Sequence, residues 1–204
     1  MRLIEFLRKP SAFIAANWAG LLGVLTVGGA VPAFAGNQRV TSSLDTYADE
    51  GGVTVLRQLR HTWWRDLPAT ACFWVYVISG SGTVALMVGV FEAPTRVFFA
   101  GLLVPVYWVA GALLGCYIRA AATVPVHAPR GLVVDEMVHL ALAHPFRALL
   151  TVPMVIATAP VWALAPLTVA CGLSVPAWAL STVWGRGVAA SPRLDRFANT
   201  VSLD

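Results

Sequence analysis

The side chains best suited to chemistry lie in one short segment, where Asp135, Glu136 and His139 follow one another closely. Glu136 and His139 have the i, i+3 spacing with which di-iron bundles place two metal ligands on one helix face. Such a site also needs a second Glu-x-x-His pair, and the sequence holds none. His127 and His144 do not complete it, since neither has a ligand spacing that recruits a cysteine or carboxylate. We therefore interpret the segment as the solvated face of a surface helix.

Other catalytic and binding motifs are missing as well. Lys9 is the only lysine, so a phosphate-binding G-x-x-x-x-G-K-[ST] loop cannot exist. Cys72, Cys116 and Cys171 lack C-x-x-C spacing, which is more typical of buried packing than of a metal or redox site. The arginines are spread over several segments rather than gathered in one nucleic-acid-binding patch. We predict no catalytic residue, no cofactor, no metal and no nucleic-acid partner.

The composition places these residues in a membrane protein. The 204 residues are 58% hydrophobic and 12% charged, whereas soluble domains average about 25% charged residues. Asp, Glu, Lys and Arg are absent from residues 12–38, 67–91, 97–118 and 148–185. A membrane-crossing helix needs about 20 apolar residues, so the sequence predicts an all-α, polytopic helix bundle that forms a single membrane domain. Transporters and pumps usually carry ionisable groups within their spans, and these stretches lack them.

The first apolar stretch, residues 12–36, has two interpretations. Its basic start and the Ala33-Phe34-Ala35 sequence imitate a secretory signal peptide with its cleavage site. Its apolar region is longer than the 7–15 residues of a signal peptide, and small residues recur along it at helix-contact spacing. We therefore expect a retained membrane helix.

A connector follows at residues 37–66. Residues 45–52 predict a turn, because Gly51 and Gly52 do not favour a helix. Residues 53–64 predict a short amphipathic helix at the membrane surface, with apolar side chains on one side and arginines on the other. Span two is predicted to begin directly after it, at residue 67.

The last apolar stretch is too long for one span, because 38 residues of helix measure about 57 Å. Two spans joined near Ala165-Pro166 resolve this, which makes five in total. A second connector at residues 119–146 carries another surface helix. The five predicted spans cover residues 12–36, 67–91, 97–118, 147–164 and 167–184. Small residues predict close helix contacts at Ala12, Ala16, Gly20 and Gly23, at Ser81, Ala85 and Gly89, and at Gly111 and Gly115.

The distribution of Arg and Lys predicts the orientation. With five spans, one side of the membrane holds both connectors and the C-terminal tail, with ten basic residues. The other side holds the N-terminus and the 92–96 turn, with four. Because positive charge favours the cytoplasm, we expect the N-terminus outside and the C-terminus inside.

A weak internal echo points to interaction with a partner. An amphipathic stretch, a histidine, an aromatic residue, an arginine and a span follow in that order twice, around residues 55–68 and 135–153. We expect two interfacial helices that dock on a cytoplasmic or membrane partner, although shared membrane-protein composition alone could also produce the echo. A pH-sensitive contact at His61 is an alternative to a simple interfacial role. The predicted docking residues are Arg57, Arg60, His61, Trp63, Trp64, Arg65, His144, Phe146 and Arg147.

The chain resembles the YesL-like family of bacterial integral membrane proteins, a domain of unknown function. The resemblance rests on Asn17-Trp18, Thr26-x-Gly28, Pro32-Ala33, Trp63-Trp64-Arg65 and Phe146-Arg147, and on size and layout. It implies a multi-pass protein of the bacterial plasma membrane with an accessory role in carbohydrate (ABC-type) uptake. It implies no catalytic residues.

Together these observations favour a non-catalytic membrane protein that packs against a transport permease. The alternative is a small transporter or channel that oligomerises around its own pore. A divergent permease subunit is a third possibility, although the expected Glu-Ala-Ala and Gly of a coupling loop are missing near residues 146–153. A membrane enzyme comes last.

Overall fold

The computed structural model describes residues 2–185 and 193–194, and side chains from residue 8 onward. The all-α prediction is confirmed. Within these residues, three stretches of helix are long and apolar enough to cross a membrane, namely Gly51–Gly89, Ala93–Thr123 and Pro145–Ala163; a bent pair of helices would make a fourth. The helices are α1 (Arg2–Leu25), α2 (Ala30–Ser42), α3 (Gly51–Gly89), α4 (Ala93–Thr123), α5 (Arg130–Ala143), α6 (Pro145–Ala157), α7 (Ala159–Ala163), α8 (Ala165–Cys171) and α9 (Ser174–Trp184).

The predicted first span is a helical hairpin rather than one helix. Helix α1 ends at Leu25 and α2 begins at Ala30, with Val27 at a positive φ of 59° in the turn. Gly28 lies so close to the Trp63 ring that a Cβ there would come within 2.7 Å of it. A tight turn with two glycines therefore interrupts the apolar stretch.

The hairpin brings the two ends of the first apolar stretch close together. Arg8 forms an ion pair with Asp49, and Lys9 Nζ lies 2.5 Å from an Asp45 carboxylate oxygen. The start of α1 and the turn after α2 therefore lie at the same end of the bundle. A single crossing by residues 12–36 would have separated them by the thickness of a bilayer, about 30 Å.

Helix α3 joins two predicted elements into one. A turn is present at residues 43–50 rather than 45–52, since Gly51 and Gly52, on which the prediction rests, form the first residues of α3. The predicted surface helix continues without a break into span two. The result is one helix of 39 residues. The first half of α3 packs against the α1–α2 hairpin. Past the middle of α3, Trp74 Nε1 donates a 2.7 Å hydrogen bond to the carbonyl of Val27 in the hairpin turn.

The second half of the chain forms the other wall of the bundle. The largest apolar core cluster brings together side chains of α2, α4, α5 and α9, with Cys116 and Trp184 fully buried in it. The chain turns at Leu164, next to the predicted Ala165-Pro166 junction. The predicted final span is bent, because α8 and α9 meet at an angle of 59°. Arg147 Nη1 donates to the carbonyl of Trp184 at 3.0 Å, which brings the start of α6 and the end of α9 to one level.

The predicted solvated helix at residues 135–144 is α5, and it is only partly solvated. Glu136 is buried and interacts electrostatically with Arg119 of α4. Asp135 is half-buried and forms an ion pair with Arg193 at 2.5 Å. Residues 119–122, predicted as part of a connector, are also buried.

Candidate functional site

A polar ladder runs along the buried face of α3. Its members are four residues apart, which places them on one side of a helix. All of them are buried against the neighbouring helices. The ladder consists of Thr54, Gln58, Thr62, Asp66 and Thr70. Burying five polar side chains in this bundle is costly unless each finds partners, so their contacts show what the ladder does.

Asp66 is the centre of the ladder and is 0% exposed. Its carboxylate accepts two hydrogen bonds from the guanidinium of Arg65, at 2.8 Å from Nε and 3.0 Å from Nη2. The Tyr117 hydroxyl of α4 donates a third at 3.0 Å. A bidentate arginine and a phenol satisfy this buried charge in the geometry that suits a carboxylate. The hydrogen bond between Tyr117 and Asp66 therefore attaches α3 to α4.

Arg130 binds the backbone of α3 next to Asp66. Pro68 has no N–H, so the carbonyl of Trp64, four residues earlier, loses its helical partner. Arg130 Nη2 donates to that carbonyl at 3.2 Å, and its Nε donates to the carbonyl of Arg65 at 2.8 Å. The side chain of one element thus replaces the hydrogen bond that a proline removed from another.

The C-terminal end of α4 is capped by side chains of α2 and α3. Arg39 Nη2 donates to the carbonyls of Ala121 at 3.3 Å and Val124 at 2.6 Å. Gln58 Nε2 donates to the Ala121 carbonyl at 3.2 Å. The last carbonyls of a helix lack intrahelical donors and carry partial negative charge, which favours a cation there. Burial lowers the pKa of Arg39 from its usual value, and the nearby Tyr47 opposes this shift.

Two tryptophans also donate to backbone carbonyls. Pro153 frees the carbonyl of Leu149, which accepts a 3.0 Å hydrogen bond from Trp108 Nε1 of α4. The carbonyl of Gly172, at the break between α8 and α9, accepts a 2.5 Å bond from Trp162 Nε1. At Trp64 and Leu149, a donor from a distant part of the sequence therefore satisfies a carbonyl that a proline leaves open.

Asn17 holds the bend between α8 and α9. Its side-chain amide donates to the carbonyl of Val169 at 2.8 Å and accepts from the backbone N–H of Leu173 at 2.7 Å. Ser174 then donates to the side chain of Asn37 at 2.9 Å. These buried amides supply the partners that the interrupted helix lacks.

The side chains around Asp66 have a structural role. Asp66, Arg65 and Arg130 bond to one another, to Tyr117 or to backbone carbonyls, as described above. No group of three or more His, Cys, Asp or Glu side chains that could hold a metal ion occurs within residues 2–185 and 193–194. What the arrangement does chemically is fix the bends and junctions of the helices.

The predicted docking residues fall into two groups. Trp64 and Phe146 are 78% and 81% exposed, and the exposed group also contains Arg57, Arg60, His61 and Arg147. Trp63 and His144 are half-buried. Arg65 does not belong to a docking face, since only 8% of its side chain is exposed. Its position beside Asp66 explains the difference.

His61 and Arg57 have local partners on the exposed face of α3. The His61 ring nitrogen Nδ1 lies 2.9 Å from the carbonyl of Arg57. The Arg57 guanidinium lies 3.7 Å from the Glu50 carboxylate. Both contacts leave the side chains accessible from outside the bundle.

The predicted packing residues also divide. Ala12, Ala16, Gly20 and Gly23 are buried in the α1–α2 hairpin and its contacts with α3 and α9. Glycines 111 and 115 face α6, where added Cβ atoms would lie 3.1 Å from the Val152 side chain and 2.9 Å from the Thr151 hydroxyl. In contrast, Ser81, Ala85 and Gly89 are exposed. A Cβ at Gly89 would meet nothing within 4 Å.

The sequence analysis missed Gln58, Asp66, Tyr117 and Arg119 as buried polar residues. A signal for the ladder was present, since polar residues recur every fourth position from 54 to 70.

Comparisons with protein-family models, curated proteins and solved structures found no match to this chain.

Proposed function

We propose that the protein is a non-catalytic membrane accessory protein that binds another membrane protein through the outer part of its α3–α4 hairpin. The observation that carries this proposal is the exposed small-residue face formed by Ser81, Ala85 and Gly89. None of residues 81–104, here called the outer hairpin, is buried within the chain. The fold therefore leaves this segment to its surroundings.

Small residues matter in this setting because lipid tails are as apolar as leucine. Helices in a bilayer associate by close packing, and faces of Gly, Ala and Ser allow their backbones to approach. Gly82 and Gly89 would each meet nothing within 4 Å if a Cβ were added. A face with this composition, unused inside the chain, favours contact with a second helix.

The opposite end of the bundle supports a cytoplasmic orientation. Among the described side chains, ten basic residues lie at the end that holds Asp66, and only Arg96 lies at the α3–α4 turn. By the positive-inside tendency, the end with ten faces the cytoplasm together with the starts of α1 and α6. The basic residues at this end are Arg8, Lys9, Arg39, Arg57, Arg60, Arg65, Arg119, Arg130, Arg147 and Arg193.

Exposed aromatic and basic side chains at this end offer a second contact. Trp64 and Phe146 project from the bundle beside Arg60 and Arg147. Aromatic residues and arginine are enriched in protein interfaces, and tryptophan also suits the headgroup layer. The partner class, a permease of a carbohydrate (ABC-type) uptake system in a bacterial plasma membrane, is supported only by the resemblance to the YesL-like family.

Site-specific photocrosslinking in native membranes tests the proposal. A photoreactive phenylalanine replaces Ala85 in one variant and Leu86 in the matched control. Leu86 is 52% exposed and lies about 100° around the same helix. We expect a discrete protein adduct from position 85 that is at least several-fold stronger than from position 86.

Two other outcomes would count against the accessory role. Lipid adducts alone from position 85 would contradict a protein partner on this face. An adduct to a second copy of the chain would favour the alternative function, a small oligomeric transporter or channel.

A further inference from the structure

An apolar cavity lies inside the bundle, away from the polar ladder. Its volume is about 360 Å³, within the range of about 300–1,000 Å³ that is usual for ligand pockets. Helices α2, α3, α4, α6 and α9 contribute side chains to its wall. Its wall includes Phe34, Phe73, Leu114, Val155 and Leu180.

A second space lies beside the cavity on the outer surface of the bundle. A groove of about 750 Å³ runs along the outer surface of α3, α4 and α6. The two spaces share Tyr76, Val77, Val152 and Ile156. All three helices belong to candidate membrane spans, so the groove beside the cavity lies on a surface suited to contact with hydrocarbon.

Several polar atoms near the cavity already have partners. The Thr151 hydroxyl donates to the carbonyl of Ala148 at 2.6 Å, and the Trp74 and Trp162 indoles donate to backbone carbonyls. A buried water needs two to four polar partners, and cavities lined by apolar side chains stay dry and bind apolar molecules. The chemistry of the wall therefore selects an apolar occupant.

We propose that this cavity binds one acyl chain of a membrane phospholipid, which enters from the groove between α3 and α6. A hydrocarbon occupant suits the wall, and the bilayer supplies acyl chains at the groove. At about 30 Å³ for each small group, 360 Å³ holds about a dozen methylene-sized units, which is most of a common acyl chain. Tyr76 lines both spaces. This site does not depend on the proposed function.

A phospholipid with a diazirine in the middle of one acyl chain tests the proposal. The full chain is reconstituted in phosphatidylcholine vesicles that contain this lipid, irradiated, and mapped by mass spectrometry. We expect adducts at Ile118 and Leu180, which line the cavity but are only 8% and 5% exposed. Adducts confined to outward-facing residues such as Val88 and Val97 would overturn the proposal.

A filled cavity provides the matched comparison. Leu114→Trp places a large ring inside it, whereas Leu86→Trp adds the same ring to the outer surface. We expect Leu114→Trp to reduce labelling of Ile118 and Leu180 at least tenfold and to leave labelling of Val88 unchanged. Leu86→Trp should leave the interior adducts in place; equal labelling in both variants would contradict the proposal.

Two further measurements keep the result interpretable. Size-exclusion chromatography and circular dichroism establish whether each variant is folded. If Leu114→Trp is not folded, the positions of the adducts in the wild-type chain decide the proposal. A photoreactive decane without a headgroup is used in parallel. Interior labelling by the decane and none by the phospholipid would overturn the acyl-chain assignment in favour of a small free hydrocarbon.

Discussion

Asp66 shows at the level of single residues how this bundle accommodates charge. The carboxylate and its partner Arg65 are adjacent in sequence, and both side chains are almost fully buried. Burying two charges is expensive, and their mutual attraction offsets the cost only when the geometry is good and the remaining polar atoms are satisfied. Tyr117 and the carbonyls of Pro125 and Val126 provide those additional partners.

We predict that Asp66→Asn destabilises the protein by about 3–5 kcal/mol, because it leaves the Arg65 guanidinium buried without its counter-charge. The midpoint of thermal unfolding in detergent, followed by far-UV circular dichroism, measures this effect. Glu50→Gln is the matched control, since it removes the exposed 3.7 Å ion pair with Arg57 and should cost about 1 kcal/mol or less. Equal losses in the two variants would contradict the role given to Asp66.

At the scale of elements, helices are joined where a proline leaves a backbone carbonyl open and a side chain from another helix donates to it. Pro68 and Pro153 each leave a helical carbonyl without its usual donor, and Arg130 and Trp108 donate to these carbonyls from other helices. An unsatisfied carbonyl in hydrocarbon costs several kcal/mol. The carbonyls that these prolines leave open are therefore points of attachment between helices.

We predict that Trp108→Phe destabilises the protein by about 1–2 kcal/mol, since it removes the donor to the Leu149 carbonyl while keeping an aromatic ring. The same substitution in a Pro153→Ala background should cost less, because the alanine N–H can bond to that carbonyl. Chemical denaturation of all four members of the cycle gives the coupling energy. Additive effects would show that the indole does not act through the freed carbonyl.

Hydropathy predicted some elements well and others poorly, for reasons visible in particular residues. The α3–α4 turn was predicted because a charged, proline-containing segment, residues 92–96, separates two apolar stretches. The α1–α2 turn was missed because Thr26, Val27, Gly28 and Gly29 carry no charge. Counting charges cannot distinguish such a turn from a helix, although two adjacent glycines are a turn signal.

The polar ladder was missed for a related reason. The charges of Arg65 and Asp66 predict that span two begins at Leu67 and that both residues belong to the connector before it. Their burial depends on α4 and on Pro125 and Val126, which lie 51 to 61 residues later in the sequence. A local pattern contains no information on such distant partners, whereas the four-residue repeat along α3 does show that these residues share one face.

For the whole molecule, the hairpins gather most connections at one end. The starts of α1 and α3 meet there through the ion pairs of Arg8 and Lys9, and the start of α6 meets the end of α9. At the opposite end of the bundle, none of the residues of the outer hairpin is buried. The bundle therefore has one broad, basic end and one narrow, apolar projection.

This arrangement predicts a membrane topology different from the one with an external N-terminus. We expect cysteines introduced at Ser11 and Ser43 to be protected from a membrane-impermeant maleimide in intact cells and labelled in inverted vesicles. A cysteine at Thr95 should show the opposite pattern. All three positions are exposed, so their accessibility should report the side of the membrane.

The three native cysteines are replaced by alanine in every variant of this experiment, and labelling in detergent provides the full signal. If the cysteine at position 11 behaves like that at position 95, α1 and α2 together cross the membrane only once, and the hairpin is wrong. If positions 11 and 43 agree but both face outward, the hairpin stands and the positive-inside assignment is wrong.

The contact between Arg130 and the carbonyl of Trp64 also has a consequence for biosynthesis. The ribosome completes Trp64 66 residues before it reaches Arg130, and at about 5–20 residues per second several seconds separate the two. Until then the carbonyl opened by Pro68 lacks this donor. We therefore expect α3 to reach its final packing only after α5 has been translated.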